Sequence, residues 1–254
     1  MFHKISLCLI FFLAGCATIP PLAVQKKEPI VIDSKEEVLL GRSMAENIIK
    51  AKIPLLNDPA KQLYVNRIGN RMAQVSDRRD IMVHFIVLDS PLLNAFALPG
   101  GYVYVTSGLL DKLDESELAA LLAHELGHLS LKHPVKKMQS TLGDEFLMAL
   151  ALFDFTQKDP LFAQQINSAS KTVFDLLSRG YSQEEEVSAD RLALTYLERV
   201  GYDPLGLVRV LGILKKETGP KGRVFETLSD RSRLEARIRR VKEDIKDLGK
   251  ITHE

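Results

Sequence analysis

The sequence predicts an α+β fold, mainly α, with a small β-sheet beside a histidine-bearing helix. Apolar residues keep helical spacing in long stretches, as in Val65, Ile68, Met72 and Val75. Two short stretches, IMVHFIVL at 81–88 and YVYVT at 102–106, are β-branched and aromatic enough for strands. Helix start and stop residues punctuate the rest. A chain of 254 residues with 46% hydrophobic content can bury a substantial core, as one large domain or two small ones. Lys+Arg is 34 and Asp+Glu is 33, a balance that gives no reason to expect a nucleic-acid partner.

The amino terminus has its own logic. A short basic start, MFHK, precedes the apolar run ISLCLIFFLAG, too short to span a bilayer but suited to a secretory signal. The run ends in Leu13-Ala14-Gly15-Cys16, which resembles the bacterial lipoprotein signal. That resemblance implies a signal peptide over 1–15 and a lipid on Cys16. Cys8 would leave with the signal, so the mature chain would have no disulfide. Residue 17 is alanine rather than the aspartate of an inner-membrane retention signal. The expected location is therefore the periplasmic face of the outer membrane. Residues 16–33, with Pro20, Pro21 and Pro29, read as the lipidated cysteine and a tether. Residues 34–250 are the expected domain.

Within that domain the elements follow in order. Ser34-Lys35-Glu36-Glu37 fits a capping box opening a helix. Asp58-Pro59 is a second start signal, an N-cap with proline at the first helical position. His84 lies in the first strand candidate and is read as structural. The second strand follows the turn Pro99-Gly100-Gly101. A Leu- and Ala-rich helix over 115–132 stops near Pro134. EFLMALALFDF at 145–155 is short and interrupted by Asp154, a core helix or a lid rather than a membrane span. Ser182 with Glu185 forms another capping box, Gly201 ends that helix, and Asp203-Pro204 opens the next. From Arg231 the chain is a charged amphipathic helix.

The chemistry concentrates in LLAHELGHLSLKH, residues 121–133. A helical residue advances by about 100°, so His124 and His128 lie on one face, a turn apart. Both imidazoles can reach one ion, and zinc suits neutral histidine nitrogens. Glu125 sits about 100° round from His124, placed to reach a water rather than the ion. This is the H-E-x-x-H arrangement, with the glutamate as general base. His133 is nine residues after His124, about 900° of rotation and so on the opposite face. It is expected at a helix end, its positive form favoured by the dipole, and not as a ligand.

A third ligand must come from elsewhere. Glu184, Glu185, Glu186 and Asp190 cluster at the start of the helix after Ser182. Glu185 faces back to the cap, whereas Glu186 and Asp190 are four apart and share a face. One of these two can bind a metal while the other orients a histidine. Acids at a helix start also simply satisfy the dipole, but the histidine pair favours the site.

HELGH with Glu186-Val187-Ser188-Ala189-Asp190 resembles the HtpX and CAAX-prenyl-protease superfamily of zinc metallopeptidases, and most of all its periplasmic BepA/LoiP-like lipoprotein members. The resemblance covers roughly residues 36–240 and includes Asn94-Ala95-Phe96-Ala97-Leu98-Pro99-Gly100-Gly101 and Gly201-Tyr202-Asp203-Pro204. It implies a zincin-type domain with one zinc ion per chain, held by His124, His128 and Glu186. It implies Glu125 as base and Asp190 as the residue steadying a ligand histidine. It implies that Asn94, Ala95, Phe96 and Ala97 hold an extended peptide by strand addition.

One segment departs from the family. Where relatives often have Thr-His-Pro and a later arginine, this chain has Leu228-Ser229-Asp230-Arg231-Ser232 and then Arg237. Arg231 replaces the histidine, and either Arg231 or Arg237 is expected to stabilise the tetrahedral intermediate. The expected function is zinc-dependent cleavage of misfolded or outer-membrane proteins in the envelope. The alternative is a chaperone-like assembly factor with minor or regulated proteolysis. The chain ends near the expected domain, without room for the helical-repeat extension of BepA-like relatives, which weighs against a scaffold.

Overall fold

The computed structural model describes residues 33–50, 54–143, 180–217 and 231–251. The expected signal, the tether apart from Asp33, and all but the two ends of 140–180, read as a core helix or a lid, lie outside these residues. The described helices are α1 (Ser34–Lys50), α2 (Pro59–Val75), the single turn α3 (Ser107–Leu110), α4 (Glu115–Ser130), α5 (His133–Leu142), α6 (Gln183–Val200), α7 (Leu205–Glu217) and α8 (Arg231–Ile251). The strands are β1 (His84–Leu88), β2 (Ala95–Leu98) and β3 (Tyr102–Thr106). No described helix is long and apolar enough to cross a membrane.

Helix α4 is the centre of the domain. Every residue from Glu117 to Leu129 is buried, which is why its sequence is apolar nearly all round rather than along one stripe. It starts from a reciprocal capping box between Asp114 and Glu117. Helices α2, α6 and α7 pack around it, and β2 and β3 lie along one side. The α2 stripe behaves as expected: Val65, Ile68 and Met72 are fully buried and Val75 packs on the same core.

The sheet has the order β1-β3-β2. β1 runs parallel to β3, pairing His84 with Tyr102, whereas β2 runs antiparallel to β3, pairing Ala95 with Val105. The first strand is shorter than expected: residues 81–83 lead into it without pairing, and His84 stacks on Tyr102 at 4.9 Å. The antiparallel turn between β2 and β3 needs Gly100, at φ 73, a left-handed conformation that side chains rarely adopt.

The first helix starts one residue earlier than its apparent capping box. Asp33, not Ser34, caps it: Glu36 N donates to Asp33 Oδ1 at 2.8 Å, and Asp33 N donates to Glu36 Oε2 at 3.1 Å. Ser34 instead donates its hydroxyl to Asp80. Glu37 is thereby released from the cap and turns inward. There it accepts from Arg78 at 3.1 and 3.0 Å, while Arg78 also donates to the Leu129 carbonyl at 2.8 Å. Both side chains are buried, at 5% and 1% exposure, so neither can turn to water if the other is removed.

This pair ties α1 to the carboxyl end of α4, and breaking it should be costly. Arg78→Ala is expected to lower stability by about 3 kcal/mol, because it leaves buried Glu37 with only the Gly100 N–H at 3.3 Å and the Lys132 ammonium at 3.8 Å. The double replacement Glu37→Leu/Arg78→Leu should cost less than the single one. Urea unfolding of the three proteins measures both values.

Candidate active site

Two neighbouring helices bring the chemistry together. α4 carries His124, Glu125 and His128, and α6 carries Glu186 and Asp190. The expected capping box opens α6: Ser182 and Glu185 bond reciprocally, which turns Glu185 back and leaves Glu186 facing α4. The two helices meet closely. A β-carbon added at Gly127 would lie 2.8 Å from the Ala189 carbonyl oxygen, so a side chain there would force the helices apart.

The donor atoms converge. His124 Nε2 and His128 Nε2 are 3.0 Å apart. Glu186 Oε2 is 3.3 Å from His124 Nε2, and its Oε1 is 3.9 Å from His128 Nε2. One ligand atom from each of the three residues falls within 4.8 Å of the others. Glu186 Oε2 is buried without a well-aligned hydrogen bond, although the Arg237 guanidinium lies 2.7 Å away. Two imidazole nitrogens and a carboxylate grouped this way could hold one cation, and the donor set suits zinc.

Behind the ligand atoms sits a second layer. Asp190 Oδ1 lies 2.9 Å from His124 Nδ1, at contact distance though off the ideal direction for a ring N–H. Arg237, from α8, grips Asp190 with two bonds of 2.9 and 2.7 Å and reaches Glu186 Oε2 at 2.7 Å with its remaining terminal nitrogen. Its guanidinium thus faces the two carboxylates. The expectation that Arg237 serves a tetrahedral intermediate meets a geometry suited first to holding acids in place. Arg231 begins α8, and its side chain lies outside the described residues.

The electrostatics follow from burial and these pairings. Burial raises the Glu125 carboxyl to about 7, against the opposing charge of His124. Burial disfavours charge on His124, but Asp190 and Glu186 outweigh it and raise the imidazole to about 10. Burial holds His128 well below the ordinary histidine value. Burial likewise opposes charge on Glu186 and Asp190, but Arg237 and then His124 hold both below the usual carboxylate range. The two acids thus favour the charged form of the His124 ring.

A cleft opens onto this cluster. Asn94, Ala95 and Phe96 line one side and Leu207, Val210, Leu211 and Leu214 of α7 line another, with Glu125 also facing in. Ala97 is buried in β2. The side-chain oxygen of Asn94 is buried without a hydrogen-bond partner.

His133 corrects the sequence reading. The helix ends at Ser130, Lys132 turns left-handed at φ 55, and His133 starts α5 with Pro134 behind it. The reversal returns His133 to the site, with its Nδ1 2.8 Å from His128 Nδ1. Burial lowers its pKa, so the expected dipole-favoured positive form gives way to a neutral ring. Pro134 was the available signal: it cannot donate to the Ser130 carbonyl, so α4 could not continue through it. Tyr181 carried no such signal. Its ring stacks on His128 at 4.0 Å, and its backbone N–H donates to Glu186 Oε1 at 3.2 Å.

A buried helix carrying H-E-x-x-H, a glutamate from the next packed helix and a cleft beside them define a zincin-type metallopeptidase domain. The sequence pattern of peptidase family M48 matches residues 59–245, and the chain belongs to that family. It is 28% identical over 196 residues to the beta-barrel assembly-enhancing protease of Escherichia coli K12, covering 75% of this chain and 40% of that protein. It is 29% identical over 198 residues to the metalloprotease LoiP of the same strain, covering 76% of this chain and 75% of LoiP. It is 30% identical over 182 residues to the mitochondrial metalloendopeptidase OMA1 of Schizosaccharomyces pombe, covering 71% of this chain and 52% of OMA1. The chain thus spans well under half the length of the beta-barrel assembly-enhancing proteases that it matches.

The α4–α6 crossing gives a direct test of how the site is held. Gly127→Ala should cost about 1–3 kcal/mol through overpacking and should weaken metal binding, because it moves Glu186 away from the histidines. Chemical unfolding and chelator competition measure the two effects.

Proposed function

We propose that the chain is a zinc-dependent endopeptidase of the bacterial cell envelope, acting on misfolded or outer-membrane proteins. The observation that carries this reading is Glu125 facing the same cleft as the His124–His128–Glu186 cluster. One zinc ion held by those three residues would leave a coordination position open, as catalytic rather than structural sites do. When bound, it supplies a Lewis acid and makes water a nucleophile at neutral pH.

The residues of the chain do the rest. Glu125 takes the proton from the attacking water and later gives it to the leaving amine. Asp190 holds His124 in orientation, and Arg237 holds Asp190 and Glu186. Arg231 or Arg237, the latter lining the cleft, is the candidate donor to the developing oxyanion, and unchanged turnover in both Arg231→Ala and Arg237→Ala would remove that role. β2 pairs only with β3 among the described strands. Its other edge suits an extended peptide added as a strand, beside the cleft that Asn94, Ala95 and Phe96 line.

The envelope assignment rests on the amino-terminal signal and on the bacterial relatives. In this reading Cys16 carries the lipid that holds the protein at the periplasmic face of the outer membrane. Cys16→Ser should shift the protein from the outer-membrane fraction to the soluble periplasm on cell fractionation.

Casein cleavage by zinc-loaded protein tests the chemistry. Glu125→Gln should keep its zinc and lose about 10²- to 10⁴-fold in kcat. Undiminished cleavage by that variant would remove Glu125 as base. Full cellular function in a variant without cleavage would favour the chaperone-like role instead.

A further inference from the structure

We propose that His133 is a positioning residue for the metal centre, holding the His128 ring through an Nδ1 to Nδ1 hydrogen bond so that Nε2 faces the ion. The proposal rests on His124, His128 and Glu186 being the ligand set, and it deepens that reading.

A histidine that binds a metal through Nε2 carries its proton on Nδ1, and that N–H needs an acceptor. For His124 the group opposite Nδ1 is Asp190, at 2.9 Å. For His128, Nε2 faces the cluster, 3.0 Å from His124 Nε2 and 3.9 Å from Glu186 Oε1. Its Nδ1 points to the other side of the ring, where His133 Nδ1 lies 2.8 Å away. A nitrogen–nitrogen contact that short requires one proton and one lone pair. With Nε2 committed to the ion, His128 Nδ1–H donates and His133 Nδ1 accepts.

The surroundings fix the pair. His133 is 5% exposed, too little for water to replace it as acceptor. Tyr181 covers the His128 face at 4.0 Å and 22°, while the His133 ring meets His128 at 61°. The left-handed Lys132 aims His133 back at α4. His133 is not itself a ligand in this arrangement, since its Nδ1 contacts His128 on the side away from Glu186. The two ligand imidazoles are thus held differently: one by a carboxylate, the other by a second imidazole.

The test uses the full chain and zinc alone. Chelator competition on His133→Phe, which fills the space but cannot accept, should give zinc binding about 10- to 100-fold weaker. His133→Asn, which places an amide oxygen near the Nδ1 position, should recover most of that loss. Nitrogen-15 spectra of histidine-labelled, zinc-loaded wild type provide a readout that needs no variant. They should show a proton on His128 Nδ1 and none on His133 Nδ1. Wild-type affinity in His133→Phe would overturn the inference, as would an Asn variant as weak as Phe or a protonated His133 Nδ1. Absence of zinc binding by the wild type would instead bring down the ligand set, and this inference with it.

Discussion

The carbonyl of Ala189 sits where a side chain of residue 127 would begin, and α4 and α6 cross at that point because residue 127 is glycine. The closeness of that crossing sets the geometry of the centre. Two histidines come from one helix and a glutamate from the other, and a metal tolerates only a few tenths of an ångström of error in ligand placement. The surrounding core serves the same end. α4 is enclosed by α2, α6, α7 and the sheet, so the histidine rings have few alternatives to the positions observed.

Close packing alone would make an unstable site, because it buries Glu125, Glu186 and Asp190 together. Arg237 resolves most of that conflict by spanning two of the three acids with its planar fork, a geometry lysine could not copy. Glu125 is left as the acid whose charge is least compensated, and its raised pKa reflects that. The same arrangement that holds two carboxylates charged therefore leaves burial to raise the third. Structural neutralisation and the potential for proton transfer are two results of one charge distribution.

Much of this was legible in the sequence because it depends on local rules. The i, i+4 spacing of His124 and His128, the Ser182 capping box that sorts Glu185 from Glu186, and the Asp58-Pro59 start are each set within a few residues. What escaped was set by contacts across the fold. The first capping box shifted to Asp33 because Glu37 has a distant partner in Arg78. Residues 81–83 look like strand, but β3 begins at Tyr102 and gives them nothing to pair with. His133 was placed on the wrong face because helical rotation was extended past Ser130, where the backbone reverses. Arg237 was noted, but its engagement with Asp190, 47 residues away, has no local signal.

That last contact also imposes an order on the birth of the protein. Whether at synthesis or on export, α4 and α6 emerge before α8, since chains are made and exported from the amino end. Until residues 231–251 emerge, Glu186 and Asp190 lack their guanidinium, and burying them unpaired opposes completion of the pocket. A chain without α8 would therefore carry His124, Glu125 and His128 beside acids that lack their counter-charge. The acidic side of the pocket would settle only once α8 has docked and its guanidinium spans both carboxylates.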